Sequence, residues 1–87
     1  MKNPDILYFE SASIRALKII ECTCNLIACM MEDIKDADAV KRIGKEIRDF
    51  CIKGNFIMAK LKASILDKYY DVSYIYDMIN VCENYAN

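Results

Sequence analysis

The sequence has no histidine and no tryptophan, and it has only one proline and two glycines among its 87 residues. Without imidazole, the chain lacks the usual base of a Ser or Cys nucleophile and the Glu-x-x-His pairs of di-metal carboxylate bundles. The small number of Gly and Pro residues excludes a collagen-like chain and a long, loop-rich enzyme. We therefore expect no catalytic residues, no metal site and no cofactor.

Long apolar runs are missing as well. The longest uncharged stretch, residues 22–31, includes Asn25 and has ten residues, whereas a membrane-spanning helix needs about 20. Asp5 and Glu10 interrupt the N-terminal stretch in which a secretion signal would need an unbroken apolar segment. We expect a soluble, cytoplasmic protein that does not bind membranes.

Apolar residues are what the sequence has in excess. They make up 55% of the chain without counting Gly, against an average of roughly 45–50% on a count that includes Gly. This amount of apolar surface excludes disorder, and the length allows one domain over residues 1–87. A chain of this size buries only roughly 60–65% of its unfolded surface, so we expect a second chain to cover part of the excess.

Five cysteines form an odd number without a secretion signal, so we interpret them as thiols. On a helix, Cys22 and Cys24 point about 200° apart, and Cys29 lies about 10 Å from Cys22 along the axis. These three residues therefore cannot share one tetrahedral metal ion. The apolar periodicity predicts Cys24, Cys51 and Cys82 in the core and leaves Cys22 and Cys29 exposed.

Helical periodicity dominates the sequence, and no strand alternation is visible. The first helix is predicted to open with Asn3 as N-cap and Pro4 at its first position, or to restart at Ser11 or Ser13. A wide apolar face over residues 12–34 follows. The two rows that form it are Ser13, Leu17, Ile20, Cys24, Ile27, Met31 and Ile34, and Ala12, Ala16, Ile19, Thr23, Leu26 and Met30. The remaining stripe is predicted to face solvent and consists of Arg15, Lys18, Cys22, Asn25, Cys29 and Glu32.

The second helix is predicted to begin with Asp36 or Asp38 as N-cap. Its apolar register comprises Val40, Ile43, Ile47, Phe50, Cys51, Gly54, Ile57, Met58, Leu61 and Ile65. This continuous register predicts one helix over residues 37–69, whereas Lys53-Gly54-Asn55 has the chemistry of a helix end, a left-handed residue and a new N-cap. We favour the single helix, because a reversal at Gly54 leaves few residues for a hairpin loop, which usually takes about 2–5.

The final helix is predicted to begin with Asp71 as N-cap. The resulting fold is an all-α, small antiparallel bundle of three helices, or of four if the chain turns at Gly54. The width of the first apolar face indicates that dimerisation completes this bundle.

Positive charge is concentrated in residues 41–62, where seven Lys and Arg side chains accompany only Glu46 and Asp49. A basic helical face of this kind can follow phosphates, which makes nucleic-acid binding an alternative function. The candidate residues are Lys41, Lys45, Arg48, Lys53, Lys60 and Lys62. Ladders of opposite charge at i,i+4 are equally typical of an ordinary solvated helix, and the acidic first and last helices could neutralise these cations within the fold.

Tyrosines are concentrated near the C-terminus, and this side chain is enriched at protein interfaces. Tyr74 and Tyr85 fit the apolar side of the last helix, and Tyr70 and Tyr76 fit its edge. Together with part of the first apolar face, they form the predicted partner-binding set. That set is Tyr70, Tyr74, Tyr76, Tyr85, Leu17, Ile20, Ile27 and Met31.

The function that these features favour is protein binding, by a homodimer or by a regulator or inhibitor of a larger protein. Immunity proteins, antitoxins and phage-encoded inhibitors have a comparable size, but this analogy involves no sequence motif. The alternative is a small nucleic-acid-binding helical protein that uses the basic face of residues 41–62.

Overall fold

A computed structural model describes the backbone of residues 4–86 and the side chains of residues 11–86. Within the described backbone the regular elements are four α-helices and one short 3-10 turn. The helices are α1 (Pro4–Cys29), α2 (Ile34–Ile52), α3 (Phe56–Ile65) and α4 (Ser73–Ala86), and the 3-10 turn, Leu66–Lys68, follows α3 directly. The prediction of an all-α bundle is confirmed.

Helix α1 begins at Pro4, as the start signals predict, while Asn3 lies outside the described residues. Its predicted solvent stripe is exposed at every position, and its first apolar row is buried or half-buried as far as Met31. The last members of both rows differ from the prediction, because Leu26, Met30 and Ile34 are exposed. Helix α1 ends at Cys29, so Ile34 is the first residue of α2 and lies outside the α1 periodicity.

Helix α2 begins earlier than predicted. Asp33 is its N-cap, and one carboxylate oxygen of Asp33 accepts hydrogen bonds from the backbone N–H groups of Lys35 (2.7 Å) and Asp36 (3.1 Å). The prediction of Asp36 or Asp38 as N-cap is therefore wrong, because Asp33 already satisfies the first free N–H groups. Asp36 instead lies in the first turn, where a negative charge interacts favourably with the helix dipole.

The chain reverses at Gly54, so the prediction of one helix over residues 37–69 is wrong and the four-helix alternative is correct. Gly54 has a φ of 77°, which is the left-handed conformation. Asn55 caps α3 by accepting the backbone N–H of Met58 (3.2 Å). Three residues between α2 and α3 are enough for the hairpin, and because they nearly match one helical turn, the apolar pattern of the sequence shows no break at the reversal.

Helix α4 begins at Ser73, two residues after the predicted cap. The Asp71 carboxylate accepts hydrogen bonds from the Ser73 hydroxyl (2.6 Å) and from the Ser73 backbone N–H (2.9 Å). Both hydrogen bonds favour the charged carboxylate and lower the pKa of Asp71. The prediction of Asp71 as N-cap is off by one residue, because Val72 is the position that flanks the helix, although the Asp71 carboxylate does bind the first residue of α4.

The four helices form an antiparallel bundle in which α1 packs against α2 and α4, and α3 packs against the same two helices. The α2–α3 hairpin places Glu46 beside Lys62, eight residues on either side of Gly54. The α1–α4 pair is antiparallel as well, because Cys82 contacts the backbone of Ser13 near one end and Tyr70 contacts Met30 near the other. The largest fully buried side chains are Ile20, Cys24, Val40, Ile47, Leu66, Ile75 and Ile79.

Helices α1 and α2 approach each other very closely at Cys24 and Gly44. A Cβ atom built on Gly44 would lie 2.6 Å from the Cβ atom of Cys24 and 3.1 Å from its sulfur. The absent side chain of Gly44 therefore sets the distance between the two helices. Among the described helices, none combines the length and the apolarity that crossing a bilayer requires.

Candidate functional site

The predicted partner-binding residues of α1 lie mainly inside the bundle. Ile20 and Ile27 belong to the core, and Leu17 and Met31 pack against it while remaining partly accessible. The chain itself therefore covers most of this apolar face with α2 and α4. Ile20 and Ile27 are not available to a partner on the surface of the folded chain, and this corrects the expected location of the docking surface.

The C-terminal tyrosines do not form one surface. Tyr70, Tyr74 and Tyr85 are exposed, whereas Tyr76 packs against the core. This reverses the expected roles of Tyr74 and Tyr76. The Tyr70 hydroxyl lies 3.5 Å from the Met30 sulfur at the C-terminal end of α1, whereas Tyr85 lies at the opposite end of the bundle. The tyrosines that are close in the sequence therefore lie at two separate places, because α4 runs along the length of the bundle between them.

Three of the six candidate nucleic-acid-binding residues form ion pairs with neighbouring helices. Their nitrogen–oxygen distances are 3.2 Å for Arg48 with Glu21, 3.1 Å for Lys60 with Glu83 and 2.8 Å for Lys62 with Glu46. All six side chains keep part of their surface in solvent, so each pair contributes only about 0–1 kcal/mol to stability. The pairs nevertheless join α1 to α2, α2 to α3 and α3 to α4, and each offsets a positive charge.

The other three candidates lie on or near α2. Lys41, Lys45 and Lys53 are exposed, and within the described part of the chain none of them has an ion-pair partner. Lys41 and Lys45 are one turn apart and share a helix face, whereas Lys53 lies at the C-terminal end of α2. The structure therefore divides the expected basic face into paired and unpaired residues.

Helix α3 carries a feature that the sequence analysis missed. Its inner side is formed by the small residues Ala59 and Ala63, which are completely buried. Its outer face consists of Ile57, Leu61 and Ile65, which are 77%, 54% and 42% exposed. The continuous register had assigned these three bulky residues to the core. The signal that could have identified them is the pair of alanines four residues apart, because small side chains let one helix lie close to its neighbours.

A cavity of about 340 Å³ lies at the end of the bundle where the α2–α3 turn meets α1 and the end of α4. Two thiols, those of Cys51 and Cys82, contribute to its wall. Leu17, Phe56 and Tyr85 supply apolar surface beside them. The cavity therefore combines an apolar lining with two cysteine thiols from different helices.

The two cavity thiols interact with each other. The Cys51 thiol donates a hydrogen bond to the Cys82 sulfur, which raises the pKa of Cys51 and lowers that of Cys82. The Cys82 sulfur in turn lies 3.9 Å from the backbone oxygen of Ser13. The burial of both thiols agrees with the sequence prediction, and so does the exposure of Cys22 and Cys29. The interaction between Cys51 and Cys82 could not be predicted from the apolar periodicity of the sequence.

Cys24, the third buried cysteine, is separate from this pair. Burial raises the pKa of its thiol to about 11, and the negative charge of Glu21 acts in the same direction. A thiol held neutral in this way behaves as a small apolar side chain. Among the described side chains, no three Cys, Asp or Glu residues converge as metal ligands would.

Comparisons of this chain with known proteins give no match. No family model matches the chain, and no curated protein or solved structure shows significant similarity to it.

Proposed function

We propose that this chain is a protein-interaction module that associates with a second copy of itself through the outer face of α3. The supporting observation is that α3 is apolar on two sides, since Ala59 and Ala63 face the bundle while Ile57, Leu61 and Ile65 face solvent. A contiguous row of exposed apolar side chains on a folded protein is typical of an interaction surface. Covering these side chains fully contributes about 1.5–3 kcal/mol each relative to full exposure, and less for those already half-covered.

The spacing of the outer face favours a second copy as the partner. Ile57, Leu61 and Ile65 follow one another at four-residue intervals, so the row is symmetric about Leu61. When two α3 helices pack antiparallel, Leu61 meets its own counterpart, and Ile57 of each copy lies opposite Ile65 of the other. A two-fold interface requires this kind of self-complementary surface.

One pair of charges beside α3 is compatible with the same arrangement. Lys53 precedes the N-terminus of α3 and Asp67 follows its C-terminus, and both are exposed without an ion pair among the described side chains. Antiparallel packing brings the cation of one copy towards the acid of the other. The two helix dipoles also oppose each other favourably in this orientation.

Protein binding is proposed in preference to nucleic-acid binding because of the ion pairs. Arg48, Lys60 and Lys62 are each engaged by an acidic side chain, so half of the candidate basic residues would have to exchange partners before contacting phosphate. The apolar outer face of α3 needs no such exchange.

The proposal is tested by measuring molar mass with light scattering, using the wild type and Leu61→Glu between about 5 and 200 µM. We expect twice the chain mass for the wild type and a monomer for Leu61→Glu, because two carboxylates would meet at the symmetry axis in a desolvated contact. Leu61 is 54% exposed and packs little against the bundle, so the helical circular dichroism of this variant should match the wild type.

The matched control is Leu26→Glu, which makes the same change at a 66% exposed leucine on α1. This variant should remain dimeric. A wild type that is monomeric over the whole range contradicts self-association, and equal mass for the wild type and Leu61→Glu excludes the α3 face as the interface. Should the monomeric wild type capture a larger protein that Leu61→Glu does not, the interaction function is retained with a different partner.

A further inference from the structure

The strongest feature outside the α3 face is the pair of cysteines in the end cavity. Cys51 is in the last turn of α2 and Cys82 is in α4, and both side chains are almost completely buried while lining one cavity. The other three cysteines are arranged differently. Cys22 and Cys29 are exposed on α1, and Cys24 lies against Gly44 at the α1–α2 crossing.

We propose that Cys51 and Cys82 are a reactive dithiol site, which a low-molecular-weight disulfide converts into an intrachain disulfide between α2 and α4. The two thiols come from different helices and line the same cavity, so the bond would join side chains that already border one space. The cavity of about 340 Å³ gives a small disulfide room beside them.

The two thiols have different roles in this exchange. Cys82 is the nucleophile, because the hydrogen bond from the Cys51 thiol stabilises its thiolate and lowers its pKa. Cys51 keeps its proton longer, since donating that hydrogen bond and being buried both raise its pKa. Cys51 is therefore the resolving thiol, which reacts after the first bond has formed.

The reaction balances as two consecutive thiol–disulfide exchanges. The Cys82 thiolate attacks one sulfur of the small disulfide, forming a mixed disulfide and releasing the first small thiolate. Cys51 loses its proton and attacks the Cys82 sulfur, which releases the second small thiolate. The two protein thiols lose two electrons and two protons in total. The small disulfide accepts both electrons, and its two product thiolates take up the protons.

The bond would close a segment that contains the α2–α3 turn, all of α3 and most of α4. Linking Cys51 to Cys82 therefore restricts the unfolded chain, and a loop of this length stabilises the folded state in the chain-entropy description. We expect the melting temperature of the oxidised protein to exceed that of the reduced protein by several degrees, on the order of 5 °C or more. Reduction should restore the original value.

The inference is tested by incubating the folded, reduced wild type with 2-hydroxyethyl disulfide, followed by alkylation and peptide mapping. The expected product has lost two hydrogen atoms, retains three alkylatable thiols and contains a Cys51–Cys82 linked peptide. Because this mapping uses the wild type, it does not depend on whether a buried substitution folds. A product in which Cys51 and Cys82 are both still thiols while Cys22 or Cys29 is modified overturns the proposal.

Single variants distinguish the two roles. In Cys51→Ser, Cys82 should accumulate as a stable mixed disulfide, because no resolving thiol is present. In Cys82→Ser, Cys51 should react more slowly than Cys82 does in Cys51→Ser, because burial still raises the pKa of Cys51 when Cys82 is absent. The control Cys22→Ser/Cys29→Ser should form the intrachain bond at the wild-type rate. Equal rates for Cys51 and Cys82 in the two single variants would contradict the assignment of nucleophile and resolving thiol.

Discussion

At the level of single residues, Gly44 is constrained by its close contact with Cys24. We predict that Gly44→Ala destabilises the protein by about 1–3 kcal/mol, because the new methyl group would overlap the Cys24 side chain and push α1 from α2. Helix propensity alone predicts the opposite sign, since Ala is better than Gly in a helix by about 0.8–1 kcal/mol. Urea unfolding followed by circular dichroism at 222 nm measures the difference.

The control for Gly44 is the same substitution in a Cys24→Gly background. The contacted Cβ atom and sulfur atom are both absent there, so adding the methyl group should cost much less or even stabilise the protein. If Gly44→Ala is equally harmful in both backgrounds, the close contact with Cys24 is not the cause.

Gly54 is constrained by its backbone and not by its neighbours. Its φ is 77°, and no atom lies within 4 Å of a Cβ built there. We predict that Gly54→Ala costs about 1–2 kcal/mol from the left-handed conformation alone. Gly54→Asn should cost less, because Asn tolerates this conformation better than Ala. The same urea titration applies, and an alanine variant at least as stable as the wild type would mean that the chain does not need the reversal at this residue.

The burial of individual residues was predictable where it follows from position on a helix. Cys24, Cys51 and Cys82 lie at periodic apolar positions, and all three are buried. What periodicity cannot supply is the distance between residues on different helices. The Cys51–Cys82 contact and the Gly44–Cys24 contact both depend on how two helices meet, and that is decided by packing.

At the level of elements, α1, α2 and α4 could be predicted from their apolar faces, and α3 could not. The α2–α3 turn occupies only Lys53, Gly54 and Asn55, which is close to one helical repeat, so the pattern shows no change of phase. The local chemistry of these three residues was the better guide. Asn55 accepts the hydrogen bond of an N-cap and Gly54 adopts a positive φ, and both observations agree with their residue types.

The orientation of α3 shows why a pattern of bulky residues can mislead. An apolar register assigns the largest side chains to the core, because their burial is worth most. In α3, Ala59 and Ala63 face the bundle instead, and the larger Ile57 and Leu61 face outward. Close packing of the two alanines against the bundle accounts for the inner side of α3, but it leaves the outer apolar row uncovered. The proposed interface uses this uncovered row on α3, whereas most of the apolar face of α1 is buried inside the bundle.

At the level of the whole molecule, the candidate surfaces could not be predicted because they combine residues from distant parts of the sequence. The basic stretch is divided by interhelical ion pairs with Glu21, Glu46 and Glu83. The tyrosines are divided between the two ends of the bundle. In each case a cluster in the sequence is separated in space, since an antiparallel bundle brings together residues that are symmetric about its turns.

The stability of the whole bundle should also fall in alkaline solution because of Cys24. The folded state raises the pKa of this completely buried thiol from 9.0 to about 11, first by burial and second by the charge of Glu21. Between these two values the unfolded chain has lost the proton and the folded chain still holds it, so the folded state binds more protons. The free energy of unfolding therefore decreases as the pH rises from 9 towards 11, by about 2–3 kcal/mol in total from this residue.

The measurement is urea unfolding under reducing conditions at pH 8, 9, 10 and 10.5, comparing the wild type with Cys24→Ala. Every other ionisable group is present in both proteins, so its contribution cancels in the difference between the two slopes. The alanine variant is expected to be less stable at pH 8, because it leaves a small void beside Gly44, and to lose less stability above pH 9. Parallel slopes would show that the Cys24 thiol titrates equally in the folded and unfolded chains. A smaller slope in the variant attributes the alkaline loss to the close crossing of α1 and α2, where a thiolate cannot be solvated.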